Sequence, residues 1–175
     1  SWQDIRETAA AVKGRYAPLD LSLRILMSYC EKAANGLATE ETTIETLEKS
    51  MRAGDVMLSA GFRAIRSRPA SLNSLINRVT VDCRTLIDMG SDLQQRRLVL
   101  DTYFSLLFFL KVCEEYAESA YVTTYTSEAS HDLEISLLCL DSADFLWQQI
   151  ENKHAVVFFS ATLHPMSYYQ SITVG

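Results

Sequence analysis

Several things are scarce in this chain, and each scarcity removes a class of protein. Its 175 residues contain only three prolines and six glycines, too few for a collagen-like or low-complexity sequence. No uncharged apolar stretch approaches the ~20 residues that a bilayer-spanning helix needs. The longest, Thr102 to Leu110, has nine and suits a buried core helix. The start shows no basic segment leading into an apolar one, so nothing points to export and the expected location is cytoplasmic. A chain that begins with Ser and stops at Gly175 reads as a piece of a longer protein.

Cysteines are present but not clustered. Cys30, Cys83, Cys113 and Cys139 are 53, 30 and 26 positions apart, with no C-x2-C pair of the kind that seeds zinc or iron–sulfur sites. Cys30, Cys83 and Cys113 fall on apolar helical faces, where a thiol packs as a small hydrophobe. His131, His154 and His164 are equally scattered, and no metal or catalytic cluster is expected.

What is present is ordinary globular material: 48% hydrophobic and 22% charged residues, ample for a core. Helical spacing predicts a short helix from Trp2 to about Tyr16, closed by Pro18. A second helix carries Leu19, Leu23, Leu26, Cys30 and Ala33 and stops at Gly36. Thr42 and Glu45 have capping-box spacing, and Ile44 through Phe62 and Ile65 mark one face of a third helix closed by Pro69. Leu72, Leu75, Ile76, Val79, Cys83, Leu86 and Ile87 form the cleanest stripe, stopped by Gly90. The next helix, capped by Ser91 or Asp92, runs to about Ser119. Its middle, Leu106 to Leu110, is apolar on all sides, which predicts the centre of a bundle.

After Ala120 the pattern changes. Tyr121–Thr126 and Leu133–Leu140 read as a β-hairpin, Asp141 or Ser142 caps a short helix to about Asn152, and Ala155–Phe159 reads as a strand covered on both faces. The expected fold is mainly α within an α+β class: a helical bundle over residues 1–120, then a hairpin, short helix and strand over residues 121–175. Left without sheet neighbours, Ala155–Phe159 is expected to pair with the Leu133–Leu140 strand or with another copy of the chain.

Charge is uneven. Residues 1–48 carry 5 basic and 8 acidic side chains, residues 49–97 carry 9 and 4, and residues 98–175 carry 2 and 10. Between Val56 and Val81 there is no acid, yet Arg63, Arg66, Arg68 and Arg78 are present. One reading is a patch that grips the backbone of single-stranded nucleic acid. The other is a solvated face with cations favoured at a helix C-terminus.

The most specific motif is at the end, where Ala155-Val156-Val157-Phe158-Phe159 leads into Ser160-Ala161-Thr162-Leu163-His164-Pro165-Met166-Ser167-Tyr168-Tyr169. An apolar strand, a small-hydroxyl turn and a proline-started helix in this order resemble motif III of the XPD/DinG family of superfamily 2 DNA helicases. Arg96-Arg97-Leu98, Tyr103-Phe104, Phe108-Phe109-Leu110 and Leu138-Cys139-Leu140-Asp141 are similar in order to the family's passage from its helical Arch domain back into the first RecA-like motor domain. The resemblance covers about residues 90–175; the first 90 are similar mainly as helical Arch-like sequence.

The resemblance implies an ATP-dependent DNA helicase, associated with DNA repair, of which this chain is one segment. Ser160, Ala161, Thr162, Leu163 and Pro165 would couple ATP hydrolysis to the grip on DNA; Thr162 as a plain helix cap is compatible with that role. Arg63, Arg66, Arg68, Arg78, Arg96 and Arg97 would be candidate phosphate contacts along a channel for single-stranded DNA, with the remaining motor domains as partners. The sequence has no G-x-x-x-x-G-K-[ST] loop and no Asp-Glu-Ala-His, so ATP and Mg2+ belong to the parent protein only. The resemblance leaves an iron–sulfur cluster in the parent undecided, since the cysteines here do not match that module. The alternative is a free-standing helical protein–protein interaction module working through the helix at Leu72 to Ile87. An enzyme with its own active site is disfavoured, because no convergent acid–base pair is evident.

Overall fold

A computed structural model describes residues 1–38, 42, 47, 60–90, 93–114, 120–128, 132–157 and 167. Among these residues the chain is α+β, with five helices and one three-stranded antiparallel sheet. The elements are α1 (Trp2–Val12), α2 (Ala17–Ala34), β1 (Gly61–Ile65), α3 (Ala70–Asp88), α4 (Leu93–Glu114), β2 (Tyr121–Ser127), β3 (Leu133–Cys139) and α5 (Ala143–Ile150).

Helix α2 is the centre of the molecule. Leu19, Leu23, Ile25, Leu26, Tyr29, Cys30 and Ala33 are all buried, and the helix packs against α1, α3, β1 and β2. Burying one such leucine stabilises by about 2 kcal/mol relative to exposure. The stripe on α3 is buried as its spacing predicts, from Leu72 through Cys83. That stripe faces the bundle, which leaves the other side of α3, where Val81 is exposed, as the side open to a partner. The same core takes in Tyr125 and Leu133, so helices and hairpin share one packed interior across residue 120.

Two prolines open helices rather than close them. Pro18 lies in the first turn of α2, and Pro69 is the N-cap of α3. A proline in the first turn lacks only an N–H that would have no intrahelical partner. Helix α1 ends earlier than expected, at Val12, before Gly14 at φ +69°.

The expected third helix does not reach Ile65. Residues 61–65 form β1, paired in register from Gly61↔Ser127 to Ile65↔Thr123. Most of that expected helix, and Glu45 of the capping box, lie outside the described residues. Phe62 and Ile65 match helical spacing, but the ladder to β2 satisfies the backbone of a segment too short to hold a helix by itself.

The predicted hairpin is present as β2 and β3, in register from Tyr121↔Cys139 to Ser127↔Leu133. Ser142 is the N-cap of α5 without a side-chain hydrogen bond, and the Asp141 carboxylate just before it accepts from the Ala143 N–H at 2.9 Å.

Helix α4 is not the bundle centre. Val99, Thr102, Leu106 and Cys113 are buried, while Phe104 and Phe108 are 61% and 71% exposed. It packs against α3 and α1, and Tyr103, Phe109 and Leu110 are only partly buried against the core. The Ala155–Phe159 strand is not found where it can be described. Residues 155–157 are exposed and irregular, and the sheet order β1-β2-β3 leaves them unpaired with β3. Phe158 and Phe159 lie outside the described residues.

Candidate nucleic-acid interface

The six arginines are set by three different parts of the fold. Arg63 is on β1, and its guanidinium lies over Gly36, the left-handed residue (φ +74°) at the exit of α2. Carbonyls of the last turn gather there: Leu37 N–H donates to Lys32 at 2.7 Å and Gly36 N–H to Ala33 at 3.0 Å. A cation is favoured at this negative end of the helix. Arg68 stands just before α3 and donates through Nη2 to the Cys113 carbonyl at 3.2 Å, so it caps the C-terminus of α4. The expected placement of these arginines along the end of their own helix is not found, because residues 61–65 are a strand; Arg63 and Arg68 instead stand at the C-termini of α2 and α4. The helix ends belong to other segments, reached only by folding.

Arg66 is exposed between those two, and Arg78 is half-buried in the middle of α3. Arg96 and Arg97 are exposed on the first turns of α4, and Arg97 faces Asp101 at 3.9 Å. Arg97 and the Arg68 contact at Cys113 are separated by about 24 Å of helix. The six do not converge on one patch. Three stand at the β1–α3 corner, Arg78 is in the middle of α3, and Arg96 and Arg97 are at the far end of α4.

Ser160, Ala161, Thr162, Leu163 and Pro165 lie outside the described residues. So do His131 and His164, while His154 is exposed beyond α5. Among the described residues no group of three His, Cys, Asp or Glu side chains is placed to hold a metal. Cys30, Cys83 and Cys113 are buried free thiols. Burial pushes the Cys83 thiol up to about 12, aided by the negative charge of Asp82, and raises Cys30 and Cys113 as well. Such thiols are poor nucleophiles at neutral pH.

The structure also contains a feature that the sequence reading missed. A cleft of about 670 Å³ lies between α4 and β3, with the start of α1 at one end. Leu26, Cys30, Leu72 and Ile76 line it from the core side, and Leu106, Phe108, Phe109 and Val112 from α4. The opposite wall is residues 132–137. Its carboxylates are Asp4, Asp132 and Glu134; Asp4 holds the Ser1 ammonium at 2.8 Å, and among the described residues no lysine or arginine lines it. The signal for this cleft was the all-round apolar segment Leu106–Leu110, which announces a surface in need of cover but not where the cover stops.

No family model, curated protein or solved structure matches the chain.

Proposed function

We propose that this chain is a segment of an ATP-dependent DNA helicase similar to the XPD/DinG family, comprising an Arch-like helical part and the adjoining strands of the first motor domain. The observation that carries the reading is the sequence from Ala155 to Tyr169: an apolar run, Ser160-Ala161-Thr162, then Leu163 and Pro165. From residue 70 onward the order of elements, two helices, a hairpin and a short helix, is consistent with that reading, whereas β1, which pairs with β2, is an addition to it. In it, the Ser160–Pro165 turn relays nucleotide state to DNA grip, ATP and Mg2+ bind elsewhere in the parent protein, and this segment hydrolyses nothing by itself. Its contribution is one wall of a single-stranded DNA path.

The positions of the arginines sharpen which ones to test. Arg63 and Arg68 contact helix ends, so replacing them tests stability as much as binding. Arg96 and Arg97 are exposed and are the better phosphate candidates. The test is binding of the chain to fluorescein-labelled oligo-dT across a salt series. Each phosphate contact contributes about 0.7 to the salt slope for single strands, so Arg96→Glu with Arg97→Glu is expected to lower the slope by about 1.4. Binding without salt dependence, or unchanged in the double variant, removes this helix end from the DNA path.

A second reading, a protein–protein interaction module, is favoured by one observation. Helix α5 buries no residue, and Leu138, Leu140, Phe145 and Trp147 are exposed around it. A face of this kind marks a protein contact. In a helicase it would meet the rest of the motor; in a free module it would meet a separate partner.

A further inference from the structure

Side chains on a strand point alternately to its two faces, so a cavity above one face meets every second residue. The cleft beside α4 is lined by six consecutive residues, 132–137, most of them in β3. A cleft along the free edge of the strand accounts for all six. The opposite edge of β3 is fully engaged with β2, and no described strand pairs with this one. Alternate backbone N–H and C=O groups of β3 thus open into a slot whose far wall is the apolar side of α4. Such an edge is a template for one more strand.

The character of the slot selects its occupant. Leu133 and Ile135 on one side and Phe108 and Phe109 on the other call for apolar side chains. The strand side of the rim is acidic, with Asp132 and Glu134. Asp132 keeps one carboxylate oxygen on its neighbour's N–H at 3.0 Å, and Glu134 holds the Ser136 hydroxyl at 3.1 Å, yet both remain exposed. Among the described residues the one cation on the slot, the Ser1 ammonium, is held by Asp4 at 2.8 Å, so the carboxylates of Asp132 and Glu134 would repel another acidic strand and draw in a basic one.

We propose that this edge of β3 docks an extended segment of a partner polypeptide, apolar at alternate residues and lysine- or arginine-bearing between them, as a fourth strand of the sheet. The site is separate from the arginines considered for DNA, so its failure would leave that reading where it stands.

The test uses the whole chain and a fluorescein-labelled heptapeptide alternating lysine and valine, followed by fluorescence anisotropy. Versions with glutamate for lysine, or with proline for the central valine, separate charge from backbone pairing. The lysine–valine peptide is expected to bind at least tenfold more tightly than either. Asp132→Lys with Glu134→Lys, and separately Phe108→Asp, are expected to weaken binding at least tenfold, with the far-UV circular dichroism spectrum unchanged. Equal affinity for the proline peptide means attraction by charge alone and overturns the proposal, as does undiminished binding to folded Phe108→Asp. A dimer in light scattering that Glu134→Lys dissolves would give the slot to a second copy of this chain and overturn it too.

Discussion

The guanidinium of Arg63 lies so close over Gly36 that a Cβ on that residue would collide with Nη1 and stand 3.1 Å from Cζ. Two constraints therefore meet at Gly36, a left-handed backbone (φ +74°) and a side chain resting where any other residue would project. Gly36→Ala is expected to destabilise the fold by about 1–3 kcal/mol in urea titrations. Arg63→Ala in the same chain should recover the steric part and leave the backbone part, about 1 kcal/mol. Equal costs in both backgrounds would show that the guanidinium moves aside freely.

Thr8 and Thr102 tie α1 to α4 through a buried contact of 2.9 Å between hydroxyls. Thr8 also reaches the Leu98 carbonyl at 3.2 Å, and Thr102 the Asp4 carbonyl at 3.3 Å. Two protons serve three contacts, so the hydroxyls act as a unit. Thr8→Val alone should cost about 1–2 kcal/mol, because the Thr102 hydroxyl and the Leu98 carbonyl each lose a buried contact. The double replacement by valine should cost less than the sum of the two singles by about 0.5–1 kcal/mol. Strict additivity in a double-mutant cycle would dissolve the pairing.

The exposed flank of α4 gives a direct contrast. Phe104→Ser and Phe108→Ser should each change stability by less than about 0.5 kcal/mol, whereas Leu106→Ala should cost about 2–4 kcal/mol. The three lie within five positions of one helix, so propensity cannot account for the difference. A large loss at Phe108 would return α4 to the bundle centre.

Alkaline pH should weaken the fold through its thiols. The Cys83 thiol titrates near 12 when folded and near 9 when unfolded. Between those values the folded state binds more protons, so stability is full below pH 9 and falls as pH rises towards 12. One such group withdraws about 1.4 kcal/mol per pH unit across that window. Urea midpoints from pH 8 to 10.5 should fall less steeply in Cys83→Ala than in the parent chain. Parallel slopes would show that Cys83 ionises as easily folded as unfolded.

The elements legible in the sequence were those whose information is local. The Leu72–Cys83 stripe, the caps around α5 and the alternating hairpin all follow from residues a few positions apart. Strand β1 was not legible because Phe62 and Ile65 satisfy helical spacing, and the hydrogen bonds that decide against a helix come from residues 123–127. Helix α4 was misplaced for a related reason: an apolar girth says that cover is wanted, not that this chain supplies it. The same limit governed the site. Arg63 and Arg68 look alike as charges in a row, yet each reaches the end of a helix far off in sequence. The cleft depends on which edge of β3 is left open, a property of strand order that no window of residues contains.

Ile65 and Thr123 stand side by side in the β1–β2 ladder, with α3 and α4 between them in the chain. The two-stranded turn-back of β2 and β3 can close by itself, but β1 must wait until a whole helical excursion has folded back on its own stem. That makes β1 the latest seam to zip and the earliest to part. Backbone amides of residues 61–65 should therefore exchange with solvent sooner than those of β2, and the sheet should narrow to two strands before the helices let go.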